Sequence, residues 1–261
     1  MKVAIQPLTW GNRPFSEICG EAAACGYEGI EAPVSRFLDN LNELKETLAA
    51  HKLECASSYC GTNLLDASKR SEEIRSIIKV AKALKELNCS QVILAAPGRQ
   101  VPRERLHPVE TMKEYSSQVN ALCKAIQDET GVIAVFHNHI GTLVEKPEEI
   151  DWLMEFTDPN LLYGGFDTAH LSAGGGDPIE FFHKYANRIR YTHLKDRRYG
   201  TGRYGDFTEM GTGFIHFPTL IQILAGADYN GWLAVELDQT NTTPMGSAAV
   251  SREYLRAHCG L

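Results

Sequence analysis

Four runs in this sequence begin apolar and end in residues that bind cations or move protons. They are VIAVFHNHIGTLVE at 132–145, GFDTAHLSAGGGDP at 165–178, IRYTHLKD at 189–196 and GWLAVELD at 231–238. An apolar run without alternation reads as a strand buried on both faces. The polar residue at its C-terminal end is where a parallel α/β protein keeps its chemistry. Asp167, His193 and Glu236 end three of the runs. At the other, His137, Asn138, His139 and, beyond the Gly141-Thr142 turn, Glu145 all lie at or past the tip, and any of them could complete a ligand shell. Alternation points His137 and His139 to one side and Asn138 to the other. We read the ends as a metal site made of Glu145, Asp167, His193 and Glu236. An ionised Asp167 at the end of a buried strand needs a partner, and a cation, an arginine or a helix N-terminus would each serve.

Three carboxylates and one imidazole form a mostly hard set, suited to one divalent ion: Mn²⁺, Mg²⁺ or Co²⁺, with Zn²⁺ also compatible. Such an ion stabilises the oxyanion left when a proton α to a carbonyl departs, by several kcal/mol. Catalytic candidates are Glu145 and Glu236, for proton transfer on two faces of a substrate, with His170 and Lys195. Lys195 could hold a substrate hydroxyl, or pair with Asp196. His137 and His139 are substrate-binding candidates, and either of them or His170 could act as the acid for a leaving hydroxyl. Trp10 and Tyr59 end the first and third strands and could stack on a substrate ring, although aromatics at strand ends also serve as packing. Gln6 and Glu31 are further wall positions. Arg197, Arg198 and Tyr199 with Arg203 form a basic cluster that reads as a solvated loop or an anion contact.

Elements to carry these residues follow from periodicity. Strands are expected at 2–7, 29–33, 54–59, 91–97, 132–139, 161–167, 189–195 and 231–237. Helices are expected at 14–24, 41–51, from 71 onward with Ile74, Ile77, Ile78, Ala81 and Leu84 on one face, and at 109–128, 147–156, 178–185, 217–225 and 247–258. Asp177 followed by Pro178 is an N-cap with proline at the first helical position. Eight strands alternating with eight helices imply a parallel sheet, and the absence of a long linker favours closure into a (β/α)8 barrel. That fold needs about 250 residues. The chain has 261, so a single domain over 1–261 is expected. No glycine-rich phosphate loop follows the first strand, and the three glycines at 174–176 lack the Lys-Ser/Thr of one.

Composition is that of an ordinary globular chain, 43% hydrophobic and 23% charged. A net charge of −7 argues against a nucleic-acid partner. The letters HNH at 137–139 do not make a nuclease without the other spaced residues and fold of that motif. Seven cysteines with no CxxC spacing read as reduced thiols in a cytoplasmic protein. No apolar run is long enough for a membrane span. Neither nucleic acid nor a membrane is expected as a partner, and homo-oligomerisation is left open.

GFDTAHLSAGGGDP, RIRYTHLKD and the GW-x-x-V-E-L-D ending resemble the sugar isomerase/epimerase superfamily with its xylose isomerase-like barrel. Its members include tagatose and psicose 3-epimerases, hydroxypyruvate isomerases, and dehydroshikimate and inosose dehydratases. HNHIGTLVE followed by DTAH is most similar to the inosose dehydratases. The resemblance covers the fifth to eighth strands; the first half shares only the βα rhythm and PLTW. It implies one divalent ion held by Glu, Asp, His and Glu from those strands. Asp167, His193 and Glu236 carry over directly. This chain has His137 where the first Glu usually stands, and in HNH-type relatives a Glu a few residues later takes over, which points to Glu145. A substrate-binding His in the family matches His170. The leading expectation is an isomerase or epimerase acting on a small sugar or keto-polyol through an enediolate. The alternative is an inosose-type dehydratase, although the chain is shorter than is typical for one. Endonuclease IV enzymes share the barrel but need more ligands and a basic crescent, which the charge of −7 opposes. A non-enzymatic sugar-binding barrel would need a broken ligand set.

Overall fold

In the computed structural model, residues 1–98, 105–200, 206–240 and 242–261 are described. The strands are β1 (Lys2–Ile5), β2 (Gly29–Glu31), β3 (Glu54–Ser57), β4 (Tyr59–Gly61), β5 (Gln91–Ala95), β6 (Ile133–His137), β7 (Leu162–Asp167), β8 (Ile189–Leu194), β9 (Asp196–Arg197), β10 (Phe207–Thr208) and β11 (Trp232–Val235). The helices are α1 (Phe15–Ala24), α2 (Leu41–Ala50), α3 (Arg70–Glu86), α4 (Val109–Thr130), α5 (Pro147–Phe156), α6 (Thr168–Ala173), α7 (Pro178–Tyr185), α8 (Phe217–Gly226) and α9 (Pro244–Cys259). Local chemistry sets several of these bounds. Asp177 accepts the Ile179 N–H at 2.7 Å and Pro178 opens α7. Glu149 accepts the N–H groups of Glu145 and Lys146 at 3.1 and 3.0 Å, closing the N-terminus of α5.

Nine strands form one parallel sheet in the order β3-β2-β1-β11-β8-β7-β6-β5-β4. This is a (β/α)8 barrel in which the third strand position is split. Ser57 offers its carbonyl to Ala32 on the β2 side, whereas Ser58 offers its own to Ile93 of β5, each at 3.0 Å. The chain therefore changes partner at this step, which is why the expected strand over 54–59 is found as β3 and β4. The Gln91 amide donates to the Ala56 carbonyl at 2.9 Å and stitches the same seam. The expected loop after Asp196 contains the ribbon β9–β10, paired antiparallel.

Two cores result. Helices cover the barrel and bury the larger one, including Ile18, Leu44, Leu84, Leu122, Phe182 and Leu220. Inside the barrel, a layer of Ala4, Ala56, Ile93, Val135, Tyr191 and Ala234 alternates small and large side chains. In a strand, residues two apart share a face. Two residues beyond this layer come Gln6, Ser58, Ala95, His137, His193 and Glu236. The packed layer fixes the phase of the strands and so decides which tip residues face the barrel axis. β7 joins in with Gly165, where an added Cβ would lie 3.0 Å from Val135, and Asp167 follows two residues on.

Candidate active site at the barrel mouth

His137, Asp167, His193 and Glu236 bring one ligand atom each to within 4.8 Å of one another, and all four are buried. That spread is close to twice a metal–ligand bond of about 2.1 Å. The register explains the meeting: Asp167 pairs with His193 across β7–β8, and His193 with Ala234 across β8–β11, which sets Glu236 just beyond. His193 Nδ1 lies 2.7 Å from His137 Nδ1 and 2.9 Å from Glu236 Oε2. Its Nε2 is hydrogen-bonded to Glu31 Oε1 at the tip of β2. Asp167 Oδ1 accepts the His170 N–H at 2.7 Å and caps α6. Asp167 Oδ2, Glu236 Oε2 and Glu31 Oε2 are buried without a well-formed hydrogen bond; the first two have only the ion-pair contacts to Lys195 Nζ at 3.4 Å and His193 Nδ1 at 2.9 Å.

Lys195 is fully buried among carboxylates. Its Nζ lies 2.8 Å from Asp238, 3.0 Å from Glu236 and 3.4 Å from Asp167. Burial alone would lower this lysine, but Asp167, Glu236 and Asp238 outweigh it and hold the ammonium above its usual range. Nζ also lies 3.1 Å from His170 Nε2. Burial pushes His137 and His170 well below the ordinary imidazole value, with His193 and Lys195 respectively adding to it. His139, stacked with its ring centre 3.7 Å from that of His170, is lowered by burial too. These three imidazoles are therefore neutral near pH 7 and Lys195 is the charged donor beside them. Burial raises Asp167 to about 7, against the pull of Lys195.

Four carboxylates, of Glu31, Asp167, Glu236 and Asp238, thus share one lysine and one imidazole that can carry charge. Buried excess negative charge is costly without a cation. Together with the clustering of one ligand atom from each residue, it fits a divalent ion among His137, Asp167, His193 and Glu236.

A cleft of about 440 Å³ opens beside this group, with Gln6, Glu31, Arg36, Ser58 and Tyr59 in its wall. A second, of about 530 Å³, lies on the other side of Tyr59 and reaches His139.

The sequence matches the family described as xylose isomerase-like TIM barrel over residues 19–258. The chain belongs to that family. It is 33% identical to the inosose dehydratase of Geobacillus kaustophilus (strain HTA426) over 288 aligned residues, covering 97% of this chain and 93% of the relative. Among solved structures, it resembles the probable 3-DHS dehydratase AsbF from Bacillus anthracis with a TM-score of 0.79 and 16% identity, over 98% of each chain. It resembles the IOLI protein with a bound zinc atom with a TM-score of 0.80 and 17% identity, over 98% of this chain and 97% of that one.

These likenesses correct the leading functional expectation. The chain's short length and the breadth of the family put a sugar isomerase or epimerase ahead of a dehydratase. The likeness to inosose dehydratases runs almost end to end, and it reverses that order.

The family barrel also sorts the expected site residues. Asp167, His193 and Glu236 meet, as the strand ends imply. Glu145 does not join them among the described residues. Its Oε2 accepts the Gly141 N–H at 3.0 Å, closing the turn after β6, and Lys146 Nζ is 3.8 Å away. His137, two residues beyond Val135 on the inward face, takes that place instead. Asn138 faces sideways and clamps β7, accepting the Asp167 N–H at 2.9 Å and donating to the Asp167 carbonyl at 3.2 Å. His139 and His170 stand beside the group, as does Lys195, whose partner is not Asp196. Asp196 instead accepts the N–H groups of Arg197, Gly211, Gly213 and Ile215.

Tyr59 is 41% exposed and forms a wall of both clefts, with its ring edge-on to His137 at 5.5 Å. Trp10 does not stack at the mouth. It ends the short 3₁₀ turn Pro7–Trp10, is buried in the outer core, and donates its indole N–H to Glu21 at 2.6 Å. Arg197 turns back to the Ser172 carbonyl at 3.1 Å, Tyr199 is exposed, and Arg203 lies outside the described residues. The residue undervalued in the sequence is Glu31. Its signal was the same apolar-run-to-acid pattern, in GIE at 29–31. Among the described residues no helix is long and apolar enough to cross a membrane.

Proposed function

We propose that this chain is a metal-dependent dehydratase acting on a cyclic polyol ketone of the inosose type. The single observation behind the reading is the 33% identity to an inosose dehydratase across 97% of the chain. The site chemistry agrees with it. His137, Asp167, His193 and Glu236 would hold the ion. When bound, the ion supplies positive charge beside the substrate carbonyl. Two imidazoles and two carboxylates suit Zn²⁺, Co²⁺ or Mn²⁺ better than Mg²⁺. That revises the harder set expected with Glu145.

Loss of water from a hydroxy-ketone needs two proton transfers. The C–H α to the carbonyl gives its proton to a base, leaving an enediolate. The hydroxyl on the next carbon then leaves as water, taking one proton with its own bonding pair, and the enol formed becomes a dione. Neutral His139 and His170 are suited to accept the first proton. The imidazolium so formed then returns that proton to the departing hydroxyl, while the Lys195 ammonium, hydrogen-bonded to His170 and held above its usual range, stays charged and donates a hydrogen bond to the oxygen that gains negative charge. Tyr59 would lie against the ring, and Gln6 is placed to meet its hydroxyls. Seven free thiols, five of them buried, accord with a cytoplasmic setting.

The test is to incubate the Zn²⁺-, Co²⁺- or Mn²⁺-loaded protein with inosose and, separately, with ketohexoses, and to follow products by NMR and ultraviolet absorbance. Dehydration of inosose with no change in the ketohexoses is expected. Inosose left intact by every metal form would overturn the proposal.

A further inference from the structure

Glu31 and His193 are 162 residues apart, on strands separated in the sheet by β1 and β11. They meet across the barrel interior. Glu31 is 3% exposed, a costly place for a carboxylate without a partner. Among the described residues both of its hydrogen-bond partners are on β8: His193 Nε2, and the Tyr191 hydroxyl at 3.5 Å. Tyr191 also sets its ring edge-on to His193, with centres 5.5 Å apart. The opposite ring nitrogen, Nδ1, is the one near His137 and Glu236. An imidazole with one nitrogen hydrogen-bonded to a carboxylate has its proton placed there, and its other nitrogen turned to whatever lies opposite.

We infer that Glu31 is a positioning residue for the metal site: it fixes the ring angle of His193 and keeps a proton on Nε2, leaving Nδ1 to the ion. This rests on the proposed ligand set but adds a residue from the first half of the chain to it. The carboxylate acts through His193, so its loss weakens ion binding without removing a ligand. Glutamine at this position still offers a carbonyl oxygen to Nε2–H; alanine offers nothing.

The experiment compares wild type, Glu31→Gln and Glu31→Ala by two readouts. The first is Zn²⁺ affinity by competition with a chromophoric chelator. The second is the ¹⁵N–¹H spectrum of histidine-labelled protein, with and without Zn²⁺, in which a protected low-field Nε2–H of His193 is expected. Glu31→Ala should lower affinity about 10- to 100-fold, the usual range for the outer partner of a ligating histidine. It should also lose the protected proton. Glu31→Gln should keep the proton and most of the affinity. A folded Glu31→Ala with wild-type affinity and an unchanged His193 proton overturns the inference. So does a Glu31→Gln variant that loses the proton, which decides the matter where the alanine variant does not fold. If wild type takes up no metal, the ligand set fails, yet the His193 proton still reports on Glu31 in the apo protein.

Discussion

The two halves of the barrel give different things to one mouth. From β6 to β11, strand tips supply the donors: His137, Asp167, His193 and Glu236, with Lys195 among them. From β1 to β4, the tips supply walls: Gln6, Ser58 and Tyr59, with Glu31 reaching across. The donor half is continuously paired and its tips are buried. In the other half the third strand is split and a cleft opens beside it. A charged site needs donors held within tenths of an ångström, which paired strands over a packed inner layer provide. A substrate needs room and adaptable surfaces, which short strands and loops provide.

The sharpest way to break this contrast is to remove a donor. Asp167→Ala should lose bound metal and lower kcat/KM by about a thousandfold or more, corresponding to several kcal/mol of charge stabilisation. Elemental analysis alongside kinetics checks it; activity with no metal bound would contradict it. Next comes the lysine that neutralises the donor half. Lys195→Met removes the cation shared by Asp167, Glu236 and Asp238, and should cost about 3–5 kcal/mol of stability in the metal-free protein. Thermal and denaturant unfolding, with and without Zn²⁺, measure this, and added metal should recover part of it. The smallest effect belongs to the wall half. Tyr59→Ala should raise KM several-fold, about 1 kcal/mol of ring contact, and leave metal content unchanged. A loss of metal in that variant would mean that the halves are not separable.

Much of this arrangement is written locally in the chain. The Asp177-Pro178 cap and the heptad-like spacing of Ile74, Ile77, Ile78, Ala81 and Leu84 lead directly to α7 and α3. Asp167, His193 and Glu236 are legible because each ends an uninterrupted apolar run. Helix α6 is not, because six residues starting at Thr168 have no apolar period and depend on the Asp167 cap. The split at Ser58 depends on a change of strand partner, which no local pattern records. Trp10 is not legible as an outer-core residue, because the 3₁₀ turn Pro7–Trp10 that turns it away from the mouth has no periodic signal of its own. Charge and hardness favour Glu145 as the fourth ligand, whereas strand phase favours His137. Val135 and His137 share parity, and once Val135 packs inside the barrel, His137 must follow.

The central claim is that the packed inner layer, not the charge count, selects the fourth member of the metal group. The matched pair His137→Gln and Glu145→Gln tests it most directly, with Zn²⁺ and Mn²⁺ affinity measured on each. His137→Gln should lose affinity by a hundredfold or more, about 3 kcal/mol. Glu145→Gln should bind metal like wild type and lose only about 1 kcal/mol of stability from the weakened bond to the Gly141 N–H. Metal lost from Glu145→Gln and kept by His137→Gln would contradict the account.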